Sequence, residues 1–216
     1  MKTVTAVRAG RGRNKRVNVF LDGRFAFSLE AEVAVKAGLR AGQELAEDNI
    51  QTLARTDQSQ RCFNAASRYL SYRPRSEAEL RERLSRRGYD DETVGKAIAR
   101  LKEQGLVNDT AFAQFWKENR DTFSPRSQRL TKLELRRKGV AGEIIDQVVA
   151  GVDEDNAYKA ALARARRLPA TDYTDFRRRL GGYLQRRGFN YGVVEHTVAQ
   201  LWREMSSLSQ VPEERG

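Results

Sequence analysis

Cysteine, histidine and proline are nearly missing from this 216-residue chain, and each absence narrows what it can do. A single cysteine, Cys62, excludes an intramolecular disulfide framework and fits a reducing compartment. With one cysteine and one histidine, His196, no zinc site of the usual Cys/His kind can be assembled. A Cys–His dyad would require Cys62 and His196 to meet, and both lie in helical patterns that give them a plainer role in packing or on the surface. Four prolines leave helices unbroken almost everywhere. No run approaches the roughly 18–20 apolar residues of a membrane-spanning helix, and the first residues lack the apolar core of a signal peptide. A soluble cytoplasmic protein is expected.

The chemistry of catalysis is equally sparse. There is neither a phosphate-binding GxxxxGK[ST] loop nor a GxGxxG motif, and Gly10-Arg11-Gly12 reads as a turn. Asp90-Asp91-Glu92 could hold a metal ion in a nuclease, but it opens a helical segment, where acids stabilise the positive end of the helix dipole. No catalytic residues, metal ligands or cofactors are therefore expected, and the protein reads as a non-enzyme.

What the chain has is charge and period. It carries 40 lysines and arginines against 29 acids, for a formal charge of +11, with 39% apolar and 32% charged residues. That composition is polar for a globular protein, yet the apolar residues are too regularly patterned for a disordered one. Residues 1–29 alternate as strands: Thr3–Val7, then a basic turn over 10–16, then Val17–Leu21, the turn dipeptide Asp22-Gly23, and Arg24–Leu29. A short helix over Ala31–Ala37 ends at Gly38, Gly42 marks a further turn, and Ala46–Thr56 begins another helix. The expected N-terminal module, residues 1–58, is a three-stranded meander with a helical cover.

Beyond residue 58 the pattern is helical and repeats. Leu84–Tyr89 (LSRRGY) is echoed by Leu135–Val140 (LRRKGV) and Leu184–Phe189 (LQRRGF), with their glycines 51 and 49 residues apart. A leucine, a basic pair, a glycine and an apolar residue together describe a helix ending, with glycine in the left-handed conformation and the apolar residue folding back onto the helix. Three units follow, 59–108, 109–153 and 154–206, each of three helices, with a disordered tail expected at 207–216. First helices are expected near 60–73, 110–121 and 156–167, second near 76–87, 126–138 and 174–187, and third near 91–104, 142–150 and 191–205. Ser76 with Glu79 forms a capping box, and Asp109 and Asp155 mark later starts. The expected fold is mainly α: an elongated tandem array of three helix-turn-helix-like repeats behind a small α+β module, in which stacked units bury faces that none could bury alone.

The positive charge concentrates on the second helices. Ser124–Gly139 holds six basic residues against one acid and Asp172–Gly188 five against two, whereas Asp90–Glu103 and Val140–Ala150 are net acidic. This distribution argues against base reading by the third helices, since Asp90-Asp91-Glu92 would meet phosphate with like charge. The doublets Arg86/Arg87, Arg137/Lys138 and Arg186/Arg187 admit two readings: compensation of the helix dipole, or binding of an anionic partner. Dipole compensation does not account for Arg126, Arg129 and Lys132 earlier in the helix, nor for Arg177, Arg178 and Arg179. The aromatics Phe112, Phe115, Trp116, Tyr158 and Trp202 fall at core spacing, which leaves Tyr72, beside Arg73 and Arg75, as the candidate for stacking on a base.

The repeated Leu-x-x-[Lys/Arg]-Gly-apolar endings, the linker Gly105–Asp109 followed by Phe112-Ala113, and the stretch Arg126–Val140 resemble the RecX family of regulatory proteins. The resemblance covers residues 59–205, with residues 1–58 similar to the N-terminal extension of longer members. It departs from the family's pattern at Ser124–Ser127, where a glycine is common, and at Thr131, which stands where Leu80 and Leu180 stand in the other units. A monomer is expected, and the resemblance implies a non-enzymatic inhibitor of the RecA recombinase that docks along the groove of the RecA–single-stranded-DNA filament or at its growing end. It would thereby restrain ATP hydrolysis, strand exchange and the co-protease activity behind the SOS response. The residues expected to meet RecA or DNA, single-stranded or duplex, are Arg86, Arg87, Arg126, Arg129, Lys132, Arg136, Arg137, Lys138, Arg177, Arg178, Arg186 and Arg187. The alternative from the residues alone is an autonomous, helix-turn-helix-like nucleic-acid-binding protein.

Overall fold

The computed structural model describes residues 1–10, 16–169 and 171–208, and the chain divides into two compact units, Met1–Asn108 and Asp109–Gly216. In the first unit, β1 (Lys2–Ala9), β2 (Arg16–Leu21) and β3 (Arg24–Glu30) form the expected antiparallel meander. Its tight turn has positive φ at both Asp22 (50°) and Gly23 (80°), which matches the right-handed twist of the two strands it joins. The expected three-stranded sheet gains a fourth member, β4 (Glu44–Leu45), paired with β1 to give the order β3-β2-β1-β4. Two residues are too few to show the alternation that marks a strand, so this pairing left no trace in the pattern. The expected turn over 10–16 lies mostly outside the described residues, as does the tail beyond 208.

The short helix α1 (Ala31–Lys36) crosses the sheet, and Val4, Val19, Leu29, Val33 and Leu45 close a core beneath it. The next helix, α2, is continuous over Glu47–Tyr72, 26 residues or about 39 Å. The expected junction at residue 58 falls inside it. Leu53 belongs to the sheet's core, and Cys62 and Ala66 belong to the core of the first three-helix repeat. A buried carboxylate helps to fasten the two halves: Asp57 accepts the Glu30 N–H at 2.6 Å and faces Arg16 at 3.5 Å.

The rest of the first repeat is α3 (Glu77–Ser85) and α4 (Asp91–Glu103), which bury Leu80, Leu84, Val94, Ile98 and Leu101 against α2. Ser76 caps α3 by accepting the Glu79 N–H at 3.1 Å. Asp90 caps α4, accepting from the N–H and hydroxyl of Thr93 at 2.8 and 3.0 Å, and those bonds lower its pKa. The acidic cluster thus has a structural employment.

In the second unit, α5 (Asp109–Phe123), α6 (Gln128–Arg137) and α7 (Gly142–Val148) enclose Phe112, Leu135, Val140 and Ile145. The helices α8 (Glu154–Ala165), α9 (Tyr173–Arg186) and α10 (Tyr191–Leu208) enclose Phe176, Leu180, Leu184, Val194 and Leu201. Ala157, Ala160, Ala161 and Ala165 form the inner face of α8 and allow the neighbouring helices to approach closely. Thr131 is as buried as Leu80 and Leu180, so the three positions are equivalent in depth though not in chemistry. The start expected at Asp155 moves to Asp153. This residue precedes α8 but turns its carboxylate to the Gln128 N–H, 2.8 Å away, and so caps α6 instead.

Candidate interaction surface

Each repeat ends its second helix alike, with Gly88, Gly139 and Gly188 at φ of 87°, 73° and 86°. The apolar residue after each returns its N–H to the leucine five positions back, as Tyr89 to Leu84, Val140 to Leu135 and Phe189 to Leu184, at 3.1–3.3 Å. This shared ending presents the basic doublets at the surface. What differs between repeats is which cations are consumed by the fold.

On α6 the charges divide by helix face. Thr131 and Leu135 point to the core, while Arg129, Arg136 and Arg137, spaced i, i+7 and i+8, occupy the opposite face around the partly exposed Leu133. Among the described residues none of these three arginines has an ion-pair partner. Lys132, at the edge of the face, reaches Asp146 at 2.6 Å and holds that carboxyl below its ordinary range. Arg126 and Arg120 converge on Glu134, at 2.5 and 2.7 Å, and Trp116 donates to the same carboxylate at 2.8 Å. Lys138 lies over the Trp116 ring, 5.1 Å from its centre. Arg126 and Lys138 therefore help to build the repeat, whereas Arg129, Arg136 and Arg137 face solvent.

The α9 cations are mostly engaged. Arg177 meets Glu195 at 3.0 Å and the Tyr191 hydroxyl at 3.2 Å, which raises its pKa. Arg178 and Arg179 share Asp175 and lower its pKa. Arg187 is a joint between repeats: its guanidinium donates to the Pro125 carbonyl at 2.8 Å, its carbonyl accepts the Ser127 N–H at 3.1 Å, and it stacks on Tyr183. Arg186, next to it, is exposed and has no ion pair among the described residues. In the first unit, Arg86 pairs with Glu82 on the helix surface, and Arg87 lines a groove.

Phe112 is buried, Trp116, Tyr158 and Trp202 pack on cores, and Phe115 is half-buried, as their spacing predicts. Tyr72 is 70% exposed, but Arg73 is engaged by Glu79 and Arg75 donates to the Tyr69 carbonyl. Cys62 is fully buried, and burial pushes its thiol up to about 11, so it is protonated at neutral pH. Two further exposed arginines, Arg61 and Arg68, stand outside the expected set; their i, i+7 spacing on α2 is the signal for them in the sequence.

These features define a class: tandem three-helix repeats bearing a basic, solvent-facing surface, behind a small strand module. The chain belongs to the RecX family of regulatory proteins. Family models match in order along it: the RecX N-terminal domain over residues 2–46, and the first, second and third three-helix domains over 62–101, 108–149 and 152–198. The regulatory protein RecX of Clostridium beijerinckii is 30% identical over 207 residues, covering 93% of this chain and 96% of its own. That of Bacillus velezensis is 28% identical, covering 93% of this chain and 78% of its own. A crystal structure of a regulatory protein RecX superposes with a TM-score of 0.68 at 25% identity, over 91% of this chain and 98% of that one. RecX from Lactobacillus salivarius, at 22% identity and a TM-score of 0.57, shares the fold over 68% of this chain and 97% of its own. No helix among the described residues is long and apolar enough to cross a membrane.

Proposed function

We propose that this protein is a non-enzymatic, monomeric, cytoplasmic regulator that binds the RecA–single-stranded-DNA filament. In this reading it inhibits RecA ATP hydrolysis, strand exchange and co-protease activity, and so modulates recombination, repair and the SOS response. The observation that carries the reading, beside family membership, is the α6 face on which Arg129, Arg136 and Arg137 stand without carboxylate partners among the described residues. Solvent-facing guanidinium groups on one helix suit a regularly spaced anionic surface, either filament phosphate or acidic protein. The repeats 59–108, 109–153 and 154–206 are proposed as successive contact modules, whose weak contacts add through effective concentration. Reading of DNA bases by third helices is disfavoured, since α4 opens on Asp90, Asp91 and Glu92.

The test is RecA ATP hydrolysis on single-stranded DNA with the protein titrated in. Suppression well below one molecule per RecA supports the reading. The variant R129S/R136S/R137S is then expected to need roughly tenfold more protein for the same effect. No effect on RecA, with nanomolar binding to naked duplex, would replace the reading with an autonomous DNA-binding protein.

A further inference from the structure

Within the first unit, a groove of about 1000 Å³ runs between β3 and α2. One α2 stripe lines it from Ile50 through Ala54, Asp57, Arg61 and Ala65 to Arg68, at helical spacings. These 18 residue steps span about 27 Å. The groove changes character along its length. At one end Phe27, Ile50 and Ala54 give it an apolar floor. In the middle lie Glu30 and Asp57, with Arg16 between them at 3.0 and 3.5 Å, so two carboxylates answer one guanidinium. At the far end Arg61 and Arg68 line it together with Arg87 and Tyr89 from the turn after α3. Among the described residues none of Arg61, Arg68 and Arg87 has an ion-pair partner.

The same middle section bears on how an occupant is read. Asp57 takes the Glu30 N–H and Arg16 takes the Ser28 carbonyl at 2.6 Å, so two backbone groups of edge strand β3 are already bonded by side chains. Adding a strand to that edge would break both bonds. Recognition therefore falls to side chains. A nucleic-acid strand, with one phosphate per nucleotide, would have to lay negative charge along the whole groove, over the two carboxylates and the apolar floor. A peptide need not, because its charge can be confined to one end.

We propose that this groove binds a partner peptide of about eight extended residues, with an apolar side chain on the Phe27/Ile50/Ala54 floor and acidic residues on Arg61, Arg68 and Arg87. Eight residues at about 3.3 Å each match the 27 Å of helix. Charge complementarity sets the peptide's direction, since the reverse orientation would lay its acids on the Phe27/Ile50/Ala54 floor and its apolar side chain among Arg61, Arg68 and Arg87.

The test needs no RecA, so its outcome is independent of the filament reading. The full-length protein is titrated at low salt into a fluorescent eight-residue peptide of sequence Phe-Leu-Ser-Gly-Asp-Glu-Asp-Glu, and anisotropy is read. Micromolar binding is expected. R61S/R68S, two exposed surface changes, should weaken it about tenfold, and a peptide with its acids interspersed should bind about as poorly. Far-UV circular dichroism of the variant checks that it folds. Absence of peptide binding, equal binding by the variant, or equal binding of the interspersed peptide would each overturn the proposal. So would an oligothymidine that binds more tightly than the peptide and loses its affinity in R61S/R68S; the groove would then belong to nucleic acid.

Discussion

Gly88 and Gly188 hold the same place in their repeats with nearly the same backbone, φ 87° and 86°, yet an alanine at the two sites meets different surroundings. At Gly88 an added Cβ touches nothing within 4 Å, so G88A carries only the left-handed strain of an L-residue, about 1–2 kcal/mol. At Gly188 the Cβ would sit 2.5 Å from Leu130 Cγ, 2.6 Å from Ser127 Oγ and 2.8 Å from Leu130 Cδ1. Ser127 is fully buried, its hydroxyl accepts the Leu130 N–H at 3.3 Å, and its own N–H is held by the Arg187 carbonyl. Relief therefore requires α6 to withdraw from the α9–α10 turn. Overpacking of this kind costs about 1–3 kcal/mol, and a lost hydrogen bond adds about 1 kcal/mol. G188A should thus cost about 3–6 kcal/mol against about 1–2 for G88A.

Both tryptophans, Trp116 and Trp202, lie in the second unit, so urea unfolding followed by tryptophan fluorescence reads that unit directly. With a slope of about 1–3 kcal/mol per molar urea, G188A should move the midpoint down by roughly 1 M or more. G88A, followed by far-UV circular dichroism, should give a distinctly smaller loss. Truncating Leu130 removes two of the three clashing atoms, so L130A and G188A together should cost about 1 kcal/mol less than their sum. Equal losses for the two glycines, or strict additivity with L130A, would refute the close-packing argument.

Two further outcomes follow from the joint between the second and third repeats. R187A should destabilise the second unit by about 1–3 kcal/mol, through loss of the bond to the Pro125 carbonyl and the stacking on Tyr183, seen as an earlier fluorescence transition; R186A should not. Burial raises the Asp153 pKa in spite of its bond from Gln128, so its charged form weighs against the folded state above that pKa, and the cost is relieved as pH falls through it. D153N keeps an acceptor for the Gln128 N–H without the charge. It should match or exceed the wild type at pH 7, with the advantage vanishing in acid, as thermal melts across pH would show.

The helical part of the fold was legible because the Leu-x-x-x-Gly-apolar ending leaves its mark in every repeat, and the cores behind it keep helical spacing. What escaped notice was short or distant. Glu44–Leu45 pairs with β1 over two residues, and the Asp153 cap acts across 25 residues, beyond any local pattern. The candidate surface was legible as to region but not residue by residue. Charge counting marked α6 and α9 together, but whether an arginine is spent depends on acids brought near by folding. Glu134 collects Arg120 and Arg126, and Asp175 holds Arg178 and Arg179, while Arg129, Arg136 and Arg137 lie on the face away from the core, with no ion pair among the described residues.

The uninterrupted α2 has a consequence for how the sheet could be lost or replaced. Its first half needs the strands to cover Leu53, and its second half needs α3 and α4 to cover Cys62 and Ala66, so the helix is a splint across two cores. Cutting the chain at residue 58 would leave a fraying helix end inside the first repeat and put Asp57, which holds the Glu30 N–H, at the fraying end of the other piece. A shortened relative that dispenses with the strands must therefore also shorten this helix by about four turns, or recolour its exposed stripe with polar residues.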